Sequence, residues 1–69
     1  MRYAIVIEKA TDDNYSAYVP DLPGCVATGQ TLAEAEGEIR EAIRLHVDGL
    51  REDGLPIPPP TAICVYTYA

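Results

Sequence analysis

Apolar and polar positions change rhythm several times along the chain. From Arg2 to Glu8, Tyr3, Ile5 and Ile7 form one alternate set and Ala4 and Val6 the other. This mixture of β-branched and aromatic residues predicts a strand that is apolar on both faces. Thr11-Asp12-Asp13-Asn14 is turn chemistry, because Asp and Asn side chains bond nearby backbone and tolerate left-handed φ. Tyr15 to Val19 then returns as the second strand of a hairpin. In Pro20-Asp21-Leu22-Pro23-Gly24 two prolines remove backbone donors and a glycine is free to take positive φ, which predicts a rigid loop with Gly24 as its structural pivot. Cys25 to Thr28 reads as a brief third strand, closed by Gly29-Gln30.

The period then changes from two to about 3.6. Thr31-Leu32-Ala33-Glu34 has the S/T-x-x-E form in which hydroxyl and carboxylate satisfy backbone N–H groups reciprocally, so Thr31 is the expected N-cap and Glu34 its partner. Leu32, Ala35, Ile39, Ala42, Ile43, His46, Val47 and Leu50 recur at three- and four-residue steps as one apolar stripe, and Glu36 and Arg40 are placed for an i,i+4 pair. Gly54 supplies the stop. Gly37 and Gly49 each cost up to ~1 kcal/mol relative to Ala, which weakens the second half near Gly49 to Asp53. Leu55-Pro56-Ile57-Pro58-Pro59-Pro60 can neither extend the helix nor enter a sheet interior, so it is read as a stiff extended connector. Thr61 to Tyr68 reads as a final strand, with Ile63 and Val65 on one face and Ala62, Cys64 and Tyr66 on the other.

The predicted class is therefore α+β: an antiparallel three-strand meander, one long helix, then a fourth strand (βββαβ). One helix covers only one face of a sheet, yet the first and last strands are apolar on both. With 69 residues the chain is a single domain, able to bury only about 60% of its unfolded surface. Small domains of this kind commonly gain stability by oligomerising. The final strand carries no proline, lysine or inward charge in Ala62 to Tyr66, so either its backbone or the open sheet face is expected to be buried against a second copy, in a homodimer or larger assembly.

Charge alone decides nothing, because an acidic surface also serves simply to keep a protein soluble. Eleven acidic residues against five basic ones give a net charge of −6, the wrong sign for gripping a phosphate backbone and the right sign for a basic protein. The apolar N-terminal run is too short for a signal-peptide core or a membrane span, so a cytoplasmic location is expected and Cys25 and Cys64 are expected to be free thiols in the core. Glu8, Asp12, Asp13 and Asp21 sit at strand ends and in loops, and Glu34, Glu36, Glu38 and Glu41 read as a cap and a wet helix face. No carboxylate cluster suited to a two-metal nuclease emerges. His46 reads as an edge-of-core residue, and with two cysteines it makes no recognised zinc spacing. Neither catalysis nor a cofactor nor a metal is expected. Among the five tyrosines, Tyr18 and Tyr66 are candidate interface residues and Tyr3 and Tyr15 candidate packing residues.

The stretch Tyr15-Ser16-Ala17-Tyr18-Val19-Pro20-Asp21-Leu22-Pro23-Gly24-Cys25-Val26-Ala27-Thr28-Gly29-Gln30-Thr31 closely resembles the signature of HicB-like antitoxins, and the likeness extends over nearly the whole chain. It implies a degenerate ribonuclease H-like fold. It also implies a partner, a HicA-like mRNA-cleaving toxin: a small basic ribonuclease with a double-stranded-RNA-binding-like fold and a catalytic histidine, which the antitoxin covers. Many family members continue into a C-terminal DNA-binding domain, whereas residues 1–69 are read as the antitoxin domain without one, so direct nucleic-acid contact is not expected. The expected activity is neutralisation of the toxin by occlusion, through Tyr18, Asp21, Leu22, Pro23 and Tyr66. The alternative is a stand-alone homo-oligomeric regulator or scaffold with no toxin present.

Overall fold

The computed structural model describes residues 1–10 and 12–69. Strands β1 (Val6–Lys9), β2 (Tyr15–Tyr18) and β3 (Val26–Gly29) form an antiparallel meander in the order β1-β2-β3, followed by one long helix, α1 (Leu32–Glu52). The α+β class and the meander followed by a helix agree with the sequence pattern. In the β1–β2 turn, Asp13 takes a left-handed φ of 64° and Ala10 N–H donates to the Asn14 carbonyl at 2.7 Å. Thr11, expected in the same turn, lies outside the described residues.

β1 is shorter than the expected Arg2 to Glu8. Its first paired residue is Val6, opposite Tyr18, because β2 ends there and the chain turns away. Val19 N–H donates to Cys25 O, Leu22 N–H to Val19 O and Cys25 N–H to Leu22 O, so the loop satisfies its own backbone and offers residues 2–5 no ladder. Gly24 takes φ 83° in this loop, the positive value expected of it.

Register sorts the side chains. Ile7, Ala17 and Ala27 are mutual partners across the three strands and belong to the core under the helix. Val6, Tyr18 and Val26 are likewise in one row, and the two-residue alternation of a strand sends that row to the opposite face. Ala17, Val19, Leu22, Cys25, Ile39 and Val47 form the buried centre, packed against by Tyr3, Ile5, Ile7, Ala42, Ile43 and Ile57.

The helix begins as its first four residues dictate. Thr31 is the N-cap, its Oγ1 accepting Glu34 N–H at 3.0 Å. The Glu34 carboxylate reaches back to Gln30 N–H at 3.2 Å, one residue earlier than in the usual reciprocal box. At the other end Gly54 adopts φ 68°, with Gly54 N–H donating to Arg51 O and Leu55 N–H to Leu50 O. This is a Schellman closure, and the helix runs unbroken through Gly49 to Glu52. The expected Glu36–Arg40 pair forms at 2.6 Å, and Arg44 bridges Glu41 and Asp48. Being exposed, such pairs are screened by solvent and add little to stability. Leu32, read as part of the apolar stripe, is exposed, because it stands at the first helical position and the sheet contact starts at Ala35, over Gly29.

The C-terminal segment departs most from expectation. Residues 61–68, predicted as a fourth strand, form no strand, and no described backbone hydrogen bond joins them to β1. The helix lies over β3 and β2 and barely over β1. A strand added outside β1 would therefore gain little cover from the helix of its own chain. Cys64, expected in the core, is exposed here, whereas Cys25 is buried, and both thiols are free.

Candidate partner-binding surface

Two surfaces are left uncovered by this architecture, the sheet face opposite the helix and the C-terminal segment. On the sheet face Tyr18 is partly exposed between Val6 and Val26, and Val26 is 66% exposed. Ser16 lies between Glu8 and Thr28 in the next row, which gives an apolar row bordered by polar and acidic side chains. Pro23 and Gly24 are exposed at the end of β2 and β3. An aromatic residue framed by aliphatic neighbours, with a polar rim, is the arrangement that binding energy concentrates on in protein interfaces.

The other expected contact residues fall elsewhere. Leu22 is fully buried and touches the core, not solvent. Asp21 is half-buried and its carboxylate is engaged: Oδ2 accepts Thr61 N–H and Ala62 N–H, both at 2.9 Å, and Oδ1 accepts the Thr61 hydroxyl at 2.7 Å. The proline-rich loop thus holds the root of the C-terminal segment. Tyr3 adds a second tie, its hydroxyl donating to Pro58 O at 2.6 Å. Beyond this root Ile63, Val65 and Tyr66 are 86%, 81% and 93% exposed. Tyr66 therefore stands on the segment that faces Ile5 to Ile7 across a groove of about 340 Å³, which meets the Tyr18 row at Val6.

Val26 was not singled out by sequence reasoning, although its alternation with Ala27 carried the signal. The Asp21–Thr61 clamp had no local signal at all. Thr31, Glu34 and Gly54 are where the helix needs them, and Gly24 where the loop does.

These three hydrogen bonds, that from Ala62 N–H first and then that from the Thr61 hydroxyl, hold the Asp21 carboxyl below its ordinary pKa. A depressed carboxylate stabilises the folded form above its unfolded pKa of about 4, and this contribution disappears as pH falls through the lower folded value. The Thr61 and Ala62 amide resonances are expected to titrate together with the Asp21 carboxyl carbon, with a midpoint below about 3.9. In Asp21→Asn both amides are expected to exchange faster while the helix stays protected. A midpoint at or above the ordinary value would contradict the clamp.

Burial raises the Cys25 thiol pKa, which disfavours the reactive thiolate, and His46 is half-buried on the helix. Among the described residues no group of three or more His, Cys, Asp or Glu is placed to hold a metal ion. No helix among them is long and apolar enough to cross a membrane.

Comparison with known proteins places this arrangement. Residues 3–68 match the family described as HicB_like antitoxin of bacterial toxin-antitoxin system. A 14.9 kDa protein of the rep-hol intergenic region of Haemophilus phage HP1 is 44% identical over 66 residues, covering 96% of this chain but 49% of that protein. The chain thus spans about half the length of that relative. A UPF0150 protein of Thermoplasma acidophilum is 40% identical over 69 residues and is covered over its full length, as is this chain. The N-terminal domain of the Burkholderia pseudomallei antitoxin HicB superposes with a TM-score of 0.76 at 34% identity, over 86% of this chain and 69% of that one. A chain of a HicA3 and HicB3 toxin-antitoxin complex gives a TM-score of 0.73 at 34% identity, over 87% and 70% of the two chains. With the family match spanning nearly every residue, and with the same fold in solved antitoxin structures, the chain belongs to the HicB-like antitoxin family.

Proposed function

We propose that this protein neutralises a HicA-like ribonuclease toxin by covering it, not by any chemistry of its own, and that it acts without contacting nucleic acid and in a cytoplasmic setting. The observation that carries this reading is the likeness to a chain found in a HicA3 and HicB3 toxin-antitoxin complex. The row Val6, Tyr18 and Val26, bordered by Glu8 in a chain of net charge −6, supplies apolar anchors within a field that attracts a basic protein. Pro23 and Gly24 form a pre-set shoulder beside it, so little backbone freedom is lost on docking. Leu22 contributes by holding that shoulder from below, and Asp21 by fixing the C-terminal segment that carries Tyr66.

We also propose that the antitoxin self-associates, and that residues 61–68 become the fourth strand of a βββαβ, ribonuclease H-like sheet in that assembly. The exposed apolar side chains of this segment support the idea.

Co-expression with a HicA-like toxin is expected to restore growth. Tyr18→Asp, which places a desolvated charge in the middle of the row without touching the core, is expected to abolish rescue while leaving the melting temperature within a few degrees of the parent. Rescue by Tyr18→Asp at full strength would remove the sheet face from the interface.

A further inference from the structure

We propose that the loop 20–24 and the root of the C-terminal segment form one switch with Asp21 as its latch: a toxin seated on the Pro23–Gly24 shoulder keeps the root closed, and a closed root tightens the hold on the toxin. The inference rests on the toxin reading above and adds a regulation of that surface. Its starting point is the number of ties that meet at one side chain. The Asp21 carboxylate accepts Thr61 N–H, Ala62 N–H and the Thr61 hydroxyl. The backbone beside it is fixed to the loop, Leu22 N–H donating to Val19 O and Cys25 N–H to Leu22 O. Pro23 and Gly24, the exposed residues of the same loop, follow directly after Leu22.

The latch has two states. When it is closed, three donors share an ionised acceptor, which makes each bond stronger than its neutral counterpart. When it is open, the same donors turn to water. Both bonds to Thr61 are exposed, so water competes for them directly. Beyond Ala62 no described hydrogen bond joins the segment to the rest of the chain, and Ile63, Val65 and Tyr66 find no cover. Closure of the root therefore rests on Asp21 alone. A region with exposed hydrogen bonds and few buried contacts opens well below the free energy of global unfolding.

The other side of the latch is stiff. The Tyr3 hydroxyl donates to Pro58 O, Ile57 packs against the core, and the prolines at 58, 59 and 60 fix φ along the connector. The root thus arrives at one place, and the loop must meet it there. Leu22 anchors the loop in the core, while Gly24 at φ 83° sets where the chain turns towards β3.

A partner that clamps Pro23 and Gly24 removes the freedom left to this loop, so the carboxylate stays where the root finds it. No new shape is needed, because the coupling runs through lost freedom. Linkage makes it reciprocal: the factor by which toxin favours the closed root is the factor by which the closed root favours toxin. Both oxygens of Asp21 are engaged within the chain, so Asp21 is a positioning residue that acts on the toxin through the loop.

The test follows hydrogen exchange of the Ala62 amide in the whole chain, with and without a purified HicA-like toxin, and measures toxin affinity in two variants that cut the latch from opposite sides. Asp21→Ala removes the acceptor. Thr61→Pro removes two of the three donors, extends a run of prolines and leaves Asp21 in place. In the parent, saturating toxin is expected to slow Ala62 exchange by roughly tenfold, and both variants are expected to bind toxin more weakly by a similar factor. The α1 amides are expected to keep their protection throughout, and in Asp21→Ala the toxin is expected to leave Ala62 exchange unchanged. Unaltered Ala62 exchange in the toxin-bound parent would overturn the latch and leave the toxin reading standing. Toxin protection of Ala62 in Asp21→Ala would show direct contact with the segment, and weaker binding in Asp21→Ala alone would make Asp21 a toxin contact; either result overturns the proposal. A parent that binds no toxin would overturn the toxin reading and the latch with it.

Discussion

Leu22→Ala is expected to lower the free energy of unfolding by about 3 kcal/mol, read as a fall in the urea midpoint at unchanged slope. The residue lies inside a loop, yet it is fully buried among Val19, Cys25 and Ile39, and its backbone N–H and carbonyl hold the loop closed onto Val19 and Cys25. Truncation removes the transfer free energy of three carbons and leaves a cavity that the surrounding turn, pinned by its own hydrogen bonds, collapses into only in part. A domain of this size has a total stability of roughly 3–10 kcal/mol. The variant is thus expected to populate the unfolded state visibly, with toxin protection falling in proportion to the folded fraction. If Leu22→Ala kept the parent midpoint and lost toxin binding, Leu22 would be a contact residue and its place in the core would be wrong.

Gly29→Ala is the second large effect expected, at about 2–3 kcal/mol of destabilisation. The cause is space. A Cβ at this position would lie 2.4 Å from Ala35 N and 2.9 Å from both Ala35 Cα and Glu34 C. All three are backbone atoms of the first helical turn, so no side chain can swing aside. The end of β3 and the start of α1 must separate, and the cap between Thr31 and Glu34 is disturbed with them. Gly37 supplies the control. A Cβ there meets nothing within 4 Å, and Gly37→Ala is expected to stabilise the helix by about 0.5–1 kcal/mol. Opposite signs at two glycines eight residues apart, read from urea midpoints, test the packing of helix on sheet. Equal effects would contradict it.

The parts of the fold that the sequence revealed were those decided locally. Thr31 and Glu34 cap the helix through atoms at most four residues apart, and Gly54 ends it within one turn, so both boundaries could be read from adjacent residues. The hairpin and the rigid loop were legible for the same reason. Leu22 was read as a contact residue because prolines on both sides signal a surface loop, whereas the structure buries it: the loop's inward turn depends on the core it plugs. Asp21 meets Thr61 across forty residues of sequence, and no periodicity reports such a pair. The fourth strand was expected from the alternating apolar pattern of residues 61–68 and from the family resemblance. Composition gives the preference of a segment for pairing, but the partner it pairs with is set by what the helix covers, and the helix barely reaches β1.

Occlusion of a toxin is tested by titrating RNA cleavage by a purified HicA-like toxin with this protein. Cleavage is expected to fall linearly to the background level at one antitoxin chain per toxin, while the antitoxin alone leaves the mobility of the RNA unchanged. Full cleavage in the presence of excess folded antitoxin, or inhibition that follows binding of the antitoxin to the RNA, would contradict it.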